Sequence, residues 1–330
     1  MSASTFVRKD IMKQQHDHSQ NSAKFGWKIL LFFLVLLFLL LVTISLIWWK
    51  RPDLFPGYFN PFTDQRRILE QYQSPALKVV DQKRGVALLE KEPELPLPPA
   101  SLAKLFSVAF VSEKQDLKTP VPVRREALEK VKKHSSLAHL KAGEVLSLHD
   151  IFAAMLIPSG NDAAYVLADY YGGLLAPQAK SYQERQAAYL KGLHRYMQKQ
   201  GWKHTKLYDP SGYDYQATTT ANDLYGVTRI LLQKDWFREL MTQVTYKARP
   251  IKGQEKTWLT TNPFMNPKEV VYRPEVQGIK TGSLDGQNHL ILHYVKGDQD
   301  YLFLSLGARS KAARIQNMEI LLRLLAKETH

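Results

Sequence analysis

Ser101 and Lys104 stand three residues apart at the head of an apolar run, "PPASLAKLFSVAF". On a helix this spacing brings both side chains to one face. A serine hydroxyl is a poor nucleophile until a base takes its proton. A lysine serves as that base once burial or nearby positive charge lowers its pKa. Backbone N–H groups at a helix start point outward and can stabilise an oxyanion. The pair therefore reads as an activated nucleophile, set against the plainer reading of two solvent-facing residues. Ser159 and Asn161 in "PSGND" fall between two helical patterns, where they would enter a cleft or cap a helix. Ser19-Gln20-Asn21 repeats that three-residue pattern in the polar N-terminal tail. Lys280, Thr281, Gly282 and Ser283 in "IKTGS" lie on a strand-like run. A cation and a hydroxyl there suit a carboxylate, and glycine inside a strand marks close approach of a backbone or a ligand.

Several elements must position these groups. Residues 76–91 give two apolar runs around a turn ending in Gly85, which predicts a β-hairpin. A short helix is expected over 65–72. From Ser101, the residues Leu102, Leu105, Phe106 and Phe110 recur at helical spacing. Two helices follow, separated at Pro158-Ser159-Gly160, the first capped by Ser147. Another helix covers 182–200, and a threonine cap opens one in "TTTANDLYGVTRILLQ". Three strand-like runs follow, with turns at Asp285-Gly286 and Gly297-Asp298, and an amphipathic helix closes the chain over 309–327. Strands near both ends and helices between them predict one α/β domain: an antiparallel sheet made from the two termini, flanked by helices, with a helical insertion.

The chain has 330 residues, a formal charge of +14 and no cysteine. The absence of cysteine excludes disulfides and thiolate metal sites. Residues 29–49 form an apolar stretch without a charge, long enough to cross a bilayer, with Trp48 and Trp49 at the expected interface. Trp-Trp-Lys-Arg-Pro follows it in place of a small-x-small cleavage site, which favours an uncleaved signal anchor. Arg8, Lys9, Lys13, Lys24 and Lys28 on the N-terminal side predict a cytoplasmic N-terminus. The expected organisation is a polar tail at 1–28, a transmembrane anchor at 29–49, a stalk at 50–72 and an extracellular catalytic domain at 73–330. No nucleic-acid partner is then expected. The positive charge suits solubility, or affinity for anionic wall polymers or lipid headgroups.

Ser-x-x-Lys, Ser-x-Asn and Lys-Thr-Gly, in this order, are the motif set of penicillin-binding proteins and class A β-lactamases. "PASLAKLF", "LIPSGNDAAYVLA" and "GIKTG" resemble the serine D-alanyl-D-alanine carboxypeptidases, the low-molecular-mass penicillin-binding proteins. The resemblance covers about 76–325, with weaker echoes in "GWKHTKLYDPSGYD", "TTTANDL" and "GARSKAARIQNMEILLRLL". It implies the β-lactamase/DD-peptidase fold and a bacterial membrane enzyme that trims peptidoglycan stem peptides through an acyl-serine. The implied catalytic residues are Ser101, Lys104 and Ser159, the last held by Lys104 and Lys280. Asn161, Lys280, Thr281, Gly282 and Ser283 are the implied substrate-binding residues, with an oxyanion hole from the Ser101 and Ser283 N–H groups. β-Lactams are implied as covalent inhibitors, and no metal or cofactor is implied. Thr260-Thr261-Asn262 stands where the family often carries Asn-Arg-Asn, whose arginine helps bind the substrate carboxylate. Lys252, Lys256 and Arg273 are the candidate replacements. The competing readings are a D,D-endopeptidase, a β-lactamase and a non-catalytic wall-binding scaffold. No Glu-x-x-Leu-Asn occurs between Asn161 and Lys280, which counts against the β-lactamase.

Overall fold

The computed structural model describes residues 31–47, 50 and 61–326, and the chain separates into two compact units, 1–61 and 62–330. In the first unit, residues 31–47 are helical with their apolar side chains exposed. Among the described residues no helix is long and apolar enough to cross a membrane. Residues 29, 30, 48 and 49 of the expected anchor, the 1–28 tail and residues 51–60 of the expected stalk lie outside the described residues.

The second unit is built on an antiparallel sheet. Its strands are β1 (Ala76–Asp81), β2 (Val86–Lys91), β3 (Val276–Leu284), β4 (Gln287–Lys296) and β5 (Gln299–Ala308), in the spatial order β2-β1-β5-β4-β3. The first hairpin pairs with the last one through β1 and β5, so the sheet does come from the two ends of the domain. Side chains alternate across it, as strand geometry requires. Leu302, Leu304 and Leu306 of β5 enter the large core shared with the helical insertion. Phe303, between them, packs edge-to-face on Phe62, at 6.2 Å between ring centroids. Phe62, Ile68 and Tyr72 fall in the expected stalk, yet they are buried in this unit. Ile68 lies in the helix α1 (Gln65–Gln71), which Phe62 and Tyr72 flank, and the Tyr72 hydroxyl donates to Ser305 of β5 at 2.5 Å.

The insertion places α2 (Ala103–Ser112) at the centre of the core, buried from Ala103 to Val111. Around it lie α3 (Leu148–Leu156), α4 (Asn161–Leu175), α5 (Tyr182–Lys199) and α6 (Ala221–Leu232). Ser147 caps α3 and Thr220 caps α6, each accepting from a backbone N–H three residues on. Lys311–Ala326 forms the closing helix, α7. The helix expected from Ser101 starts later. Ala100–Leu102 is a tight 3-10 turn, and α2 begins at Ala103. Ala100, whose φ of 46° is left-handed, keeps the right-handed run from reaching back before Ser101.

Candidate active site

The 3-10 turn carries Ser101 and the first turn of α2 carries Lys104. The Lys104 Nζ lies 2.7 Å from the Ser101 Oγ. It also bonds the Asn161 Oδ1 at 2.7 Å and approaches the Ser211 carbonyl oxygen at 3.5 Å, so its three N–H positions have three acceptors. Lys104 is wholly buried, and that desolvation lowers its pKa to about 7 against the opposing pull of Asp209 and Asp162. A lysine in this state holds a substantial neutral fraction at neutral pH. Its lone pair then faces the hydroxyl it would deprotonate.

The nucleophile turn is gripped from two sides by glycines. A Cβ at Gly212, whose φ is 78°, would stand 2.0 Å from the Ala100 carbonyl oxygen. A Cβ at Gly282 would stand 3.3 Å from both the Ala100 Cβ and the Leu102 Cγ, which explains the glycine within β3. These contacts set Ser101 between the loop at 209–217 and the sheet edge.

Ser159 and Asn161 come from the connection between α3 and α4. Asn161 is the first residue of α4, and its N–H bonds the Ser136 carbonyl at 2.8 Å. Next to it, the Asp162 carboxylate accepts from the N–H groups of Ala138, Leu140 and Ala163 at 2.9 to 3.0 Å. Ser159 has φ 64°, outside the helix, so it is not the cap. Its hydroxyl accepts from the Lys280 Nζ at 2.7 Å. Lys280 is 1% exposed and also donates to the Thr281 carbonyl at 3.0 Å. Burial, then the positive charges of Lys104 and Arg314, hold its pKa well below the ordinary lysine value. Ser159 was expected between two lysines. Instead Lys280 bonds Ser159 while Lys104 bonds Ser101 and Asn161, because Asn161 Oδ1 occupies the lysine's second direction.

The residue missing from the sequence-based set is Arg314, near the start of α7. Its Nη1 donates to the Ser283 Oγ at 3.3 Å, its Nε is buried without a partner, and no acidic residue pairs with it among the described residues. Thr261 lies beside the same strand and shares a hydrogen bond with Thr281 at 2.7 Å. Of the three cations considered as replacements, Lys256 and Arg273 have acidic neighbours elsewhere, and Lys252 is exposed. Lys256 pairs with Glu144, Arg273 lies near Glu319, and Lys252 bridges by its backbone to Val145. The signal for Arg314 was its place in "GARSKAARIQ", but nothing local says that its side chain reaches Ser283 of β3.

The comparisons with known proteins follow the same outline. Residues 63–309, well over half of the chain, match the family described as D-alanyl-D-alanine carboxypeptidase. The chain belongs to this family. Among curated proteins of the family, it is 29% identical over 236 residues to the D-alanyl-D-alanine carboxypeptidase DacD of Escherichia coli, covering 68% of this chain and 56% of that protein. It is 24% identical over 228 residues to a D-alanyl-D-alanine endopeptidase of Pseudomonas aeruginosa, covering 68% of each. The chain thus spans a little over half the length of the E. coli carboxypeptidase. A Streptomyces DD-transpeptidase structure superposes with a TM-score of 0.68 at 20% identity, over 77% of this chain and 97% of that one. That likeness establishes the DD-peptidase fold.

As a carboxypeptidase-family site, the cluster leaves little unassigned. His289 and His293 face the sheet interior. The His289 Nδ1 accepts from the Gly307 N–H at 2.9 Å, and His293 bonds Asp300 at 2.8 Å. Burial lowers the His289 pKa to about 4. Among the described residues no group of three or more His, Asp or Glu is placed to hold a metal ion.

Proposed function

We propose that this protein is a serine D,D-carboxypeptidase that removes the terminal D-Ala from peptidoglycan stem peptides. The observation that carries the reading is the 2.7 Å contact between Ser101 Oγ and a wholly buried Lys104 whose pKa is about 7. The Ser101 oxygen attacks the carbonyl carbon of the D-Ala–D-Ala bond, and its proton passes to neutral Lys104. The N–H groups of Ser101 and Ser283 receive the oxyanion. The C–N bond then breaks, and the proton returns through Ser159 to the departing amine. Water hydrolyses the acyl-serine, with Lys104 again taking the proton. Asn161 orients the substrate amide and holds Lys104. Lys280, Thr281 and Arg314 form a cationic, hydroxyl-bearing seat for the substrate carboxylate. The unpartnered Arg314 Nε supports this assignment, since a buried cation without an anion is costly until one binds.

The test is labelling of the purified protein with fluorescent penicillin, beside Ser101→Ala, together with an assay of D-Ala release from a pentapeptide. Wild-type labelling lost in Ser101→Ala, with D-Ala release, is expected. No wild-type labelling would reject the acyl-serine. Labelling with cleavage of crosslinked dimers but no D-Ala release would identify an endopeptidase, the activity named for the P. aeruginosa relative.

Anchoring through residues 29–49, with a cytoplasmic N-terminus and an external catalytic unit, belongs to the same proposal. It is supported by the uncharged apolar run and the lysine-rich flank before it. Protease added to intact cells should digest the catalytic unit and spare an epitope at the N-terminus. The reverse pattern would overturn it.

A further inference from the structure

His289 is a buried imidazole that the reaction above leaves unused. It lies on β4 directly opposite Gly282 of β3. On its other flank the pairing with β5 slips. Asn288 faces Ala308 and Leu290 faces Ser305, so Leu306 and Gly307 stand against the single residue His289. A bulge of this kind interrupts the ladder and leaves a backbone group to be satisfied otherwise. Here the Gly307 N–H finds the His289 Nδ1, which accepts it at 2.9 Å. That bond also fixes the ring's hydrogen. Burial, reinforced by the charge of Arg314 and opposed by the Pro98 backbone, lowers the His289 pKa to about 4, so the ring is neutral. A neutral imidazole that accepts at Nδ1 carries its hydrogen on Nε2.

The rest of the ring meets the nucleophile turn. Its buried Nε2 has no partner in hydrogen-bond geometry and lies by the backbone of Pro98, which offers only a carbonyl. Its edge closes on the strand. A Cβ at Gly282 would stand 3.2 Å from the His289 Cδ2, and 3.3 Å from both the Ala100 Cβ and the Leu102 Cγ. The imidazole and the nucleophile turn therefore crowd the same side of Gly282. One rigid ring thus touches three segments: β3 beside Gly282, β5 at Gly307, and the lead into the nucleophile turn at Pro98. Both donors assigned to the oxyanion stand next to these contacts. Ser283 follows Gly282, and Ser101 follows Ala100. A misplacement of about 1 Å in an active site can cost about 10²-fold in rate.

We propose that His289 is a positioning residue for the oxyanion hole: its ring, wedged between the nucleophile turn, β3 and the β5 bulge, sets the separation of the Ser101 and Ser283 N–H groups. The proposal rests on the D,D-peptidase reading above. His289 touches no substrate and moves no proton, so it is not a catalytic residue.

The test uses the full chain in detergent, wild type beside His289→Asn, His289→Gln and His289→Ala. His289→Asn puts an oxygen where Nδ1 stands, so it keeps an acceptor for Gly307 but leaves the space beside Gly282 and Pro98 unfilled. His289→Gln keeps an acceptor and a donor at the reach of the ring, and His289→Ala keeps nothing. Fluorescent-penicillin acylation is followed over a range of concentrations, which separates the noncovalent Kd from the first-order acylation rate. A boronic-acid analogue of an acyl-D-alanine is titrated in parallel, since its adduct with the Ser101 oxygen is tetrahedral and loads the oxyanion hole. His289→Asn should keep the wild-type noncovalent Kd, acylate about tenfold more slowly and bind the boronate about tenfold more weakly. His289→Ala should lose about 10²-fold in both, and His289→Gln should stay within about threefold of wild type. If His289→Ala does not fold, the other two variants carry the comparison. Wild-type acylation and boronate affinity in His289→Asn, or a loss confined to the noncovalent Kd, would overturn the proposal. If wild type takes no penicillin, the D,D-peptidase reading fails and amide hydrogen exchange decides on the wedge alone. Exchange at 98–102 and 282–284 should be faster in His289→Asn than in wild type, and equal exchange would overturn it.

Discussion

Lys104 keeps its amine inside the protein with a hydroxyl, an amide oxygen and a carbonyl around it, and its chemistry follows from that burial. With the pKa lowered to about 7, penicillin acylation of Ser101 should rise with pH and reach half its maximum near pH 7, as followed by the rate of label incorporation. Lys104→Met should slow acylation by about 10²- to 10⁴-fold, the range for loss of a positioned base. The same shift has a sign for stability. Between about pH 7 and the ordinary lysine value the unfolded chain binds the proton that the folded chain has released, so unfolding free energy should rise with pH in that window. Arg314 gives a second test at this scale. Arg314→Met should raise KM about tenfold or more for a peptide with a free C-terminal carboxylate, and much less for its C-terminal amide. Similar KM changes for both peptides would remove Arg314 from the carboxylate seat.

Elements position these residues by close approach more than by local preference. The 3-10 turn at Ala100–Leu102 is held between Gly212 of one loop and Gly282 of β3. At Gly212 both the backbone conformation and the space forbid a side chain. Gly212→Ala should cost about 3 kcal/mol in denaturant unfolding and should slow acylation, because the Ala100 carbonyl would have to move. A variant with wild-type stability and wild-type acylation would show that the loop does not set the nucleophile. The connection from α3 to α4 works differently. The Asp162 carboxylate collects three N–H groups and pins the 138–140 segment, which keeps Asn161 within reach of Lys104.

At the scale of the whole molecule, the unit that carries the candidate site begins at Phe62. Residues 62–330 should fold alone and label with penicillin at the full-length rate. A version starting at residue 73 loses the buried Phe62, Ile68 and Tyr72 side chains and the Tyr72–Ser305 bond. It should be less stable by at least about 3 kcal/mol, seen as a lowered midpoint in denaturant. Equal midpoints would mean that α1 is a passive appendage. Unlike the motifs, this boundary was hidden in the sequence. Residues 50–72 read as a stalk, and the burial of Phe62 and Tyr72 depends on Phe303 and Ser305 of β5, more than 200 residues away.

The sequence by itself determined the three motifs, their order, the caps at Ser147 and Thr220, and a sheet drawn from both ends of the domain. These depend on residue types and on periodicities of two or about 3.6, which are local properties. Only the tertiary structure decided that Ser101 lies on a 3-10 turn, that Lys104 is wholly buried with a lowered pKa, and that it holds Asn161 while Lys280 holds Ser159. Thr261, where the family arginine was expected, bonds Thr281 by its hydroxyl, and Arg314 of α7 reaches Ser283 on the same strand. Ser211 and Gly212 came to the site in the same way, on a loop that the sequence marked only as a weak echo. Burial and charge proximity depend on what distant elements bring to the same place, and no local spacing records that.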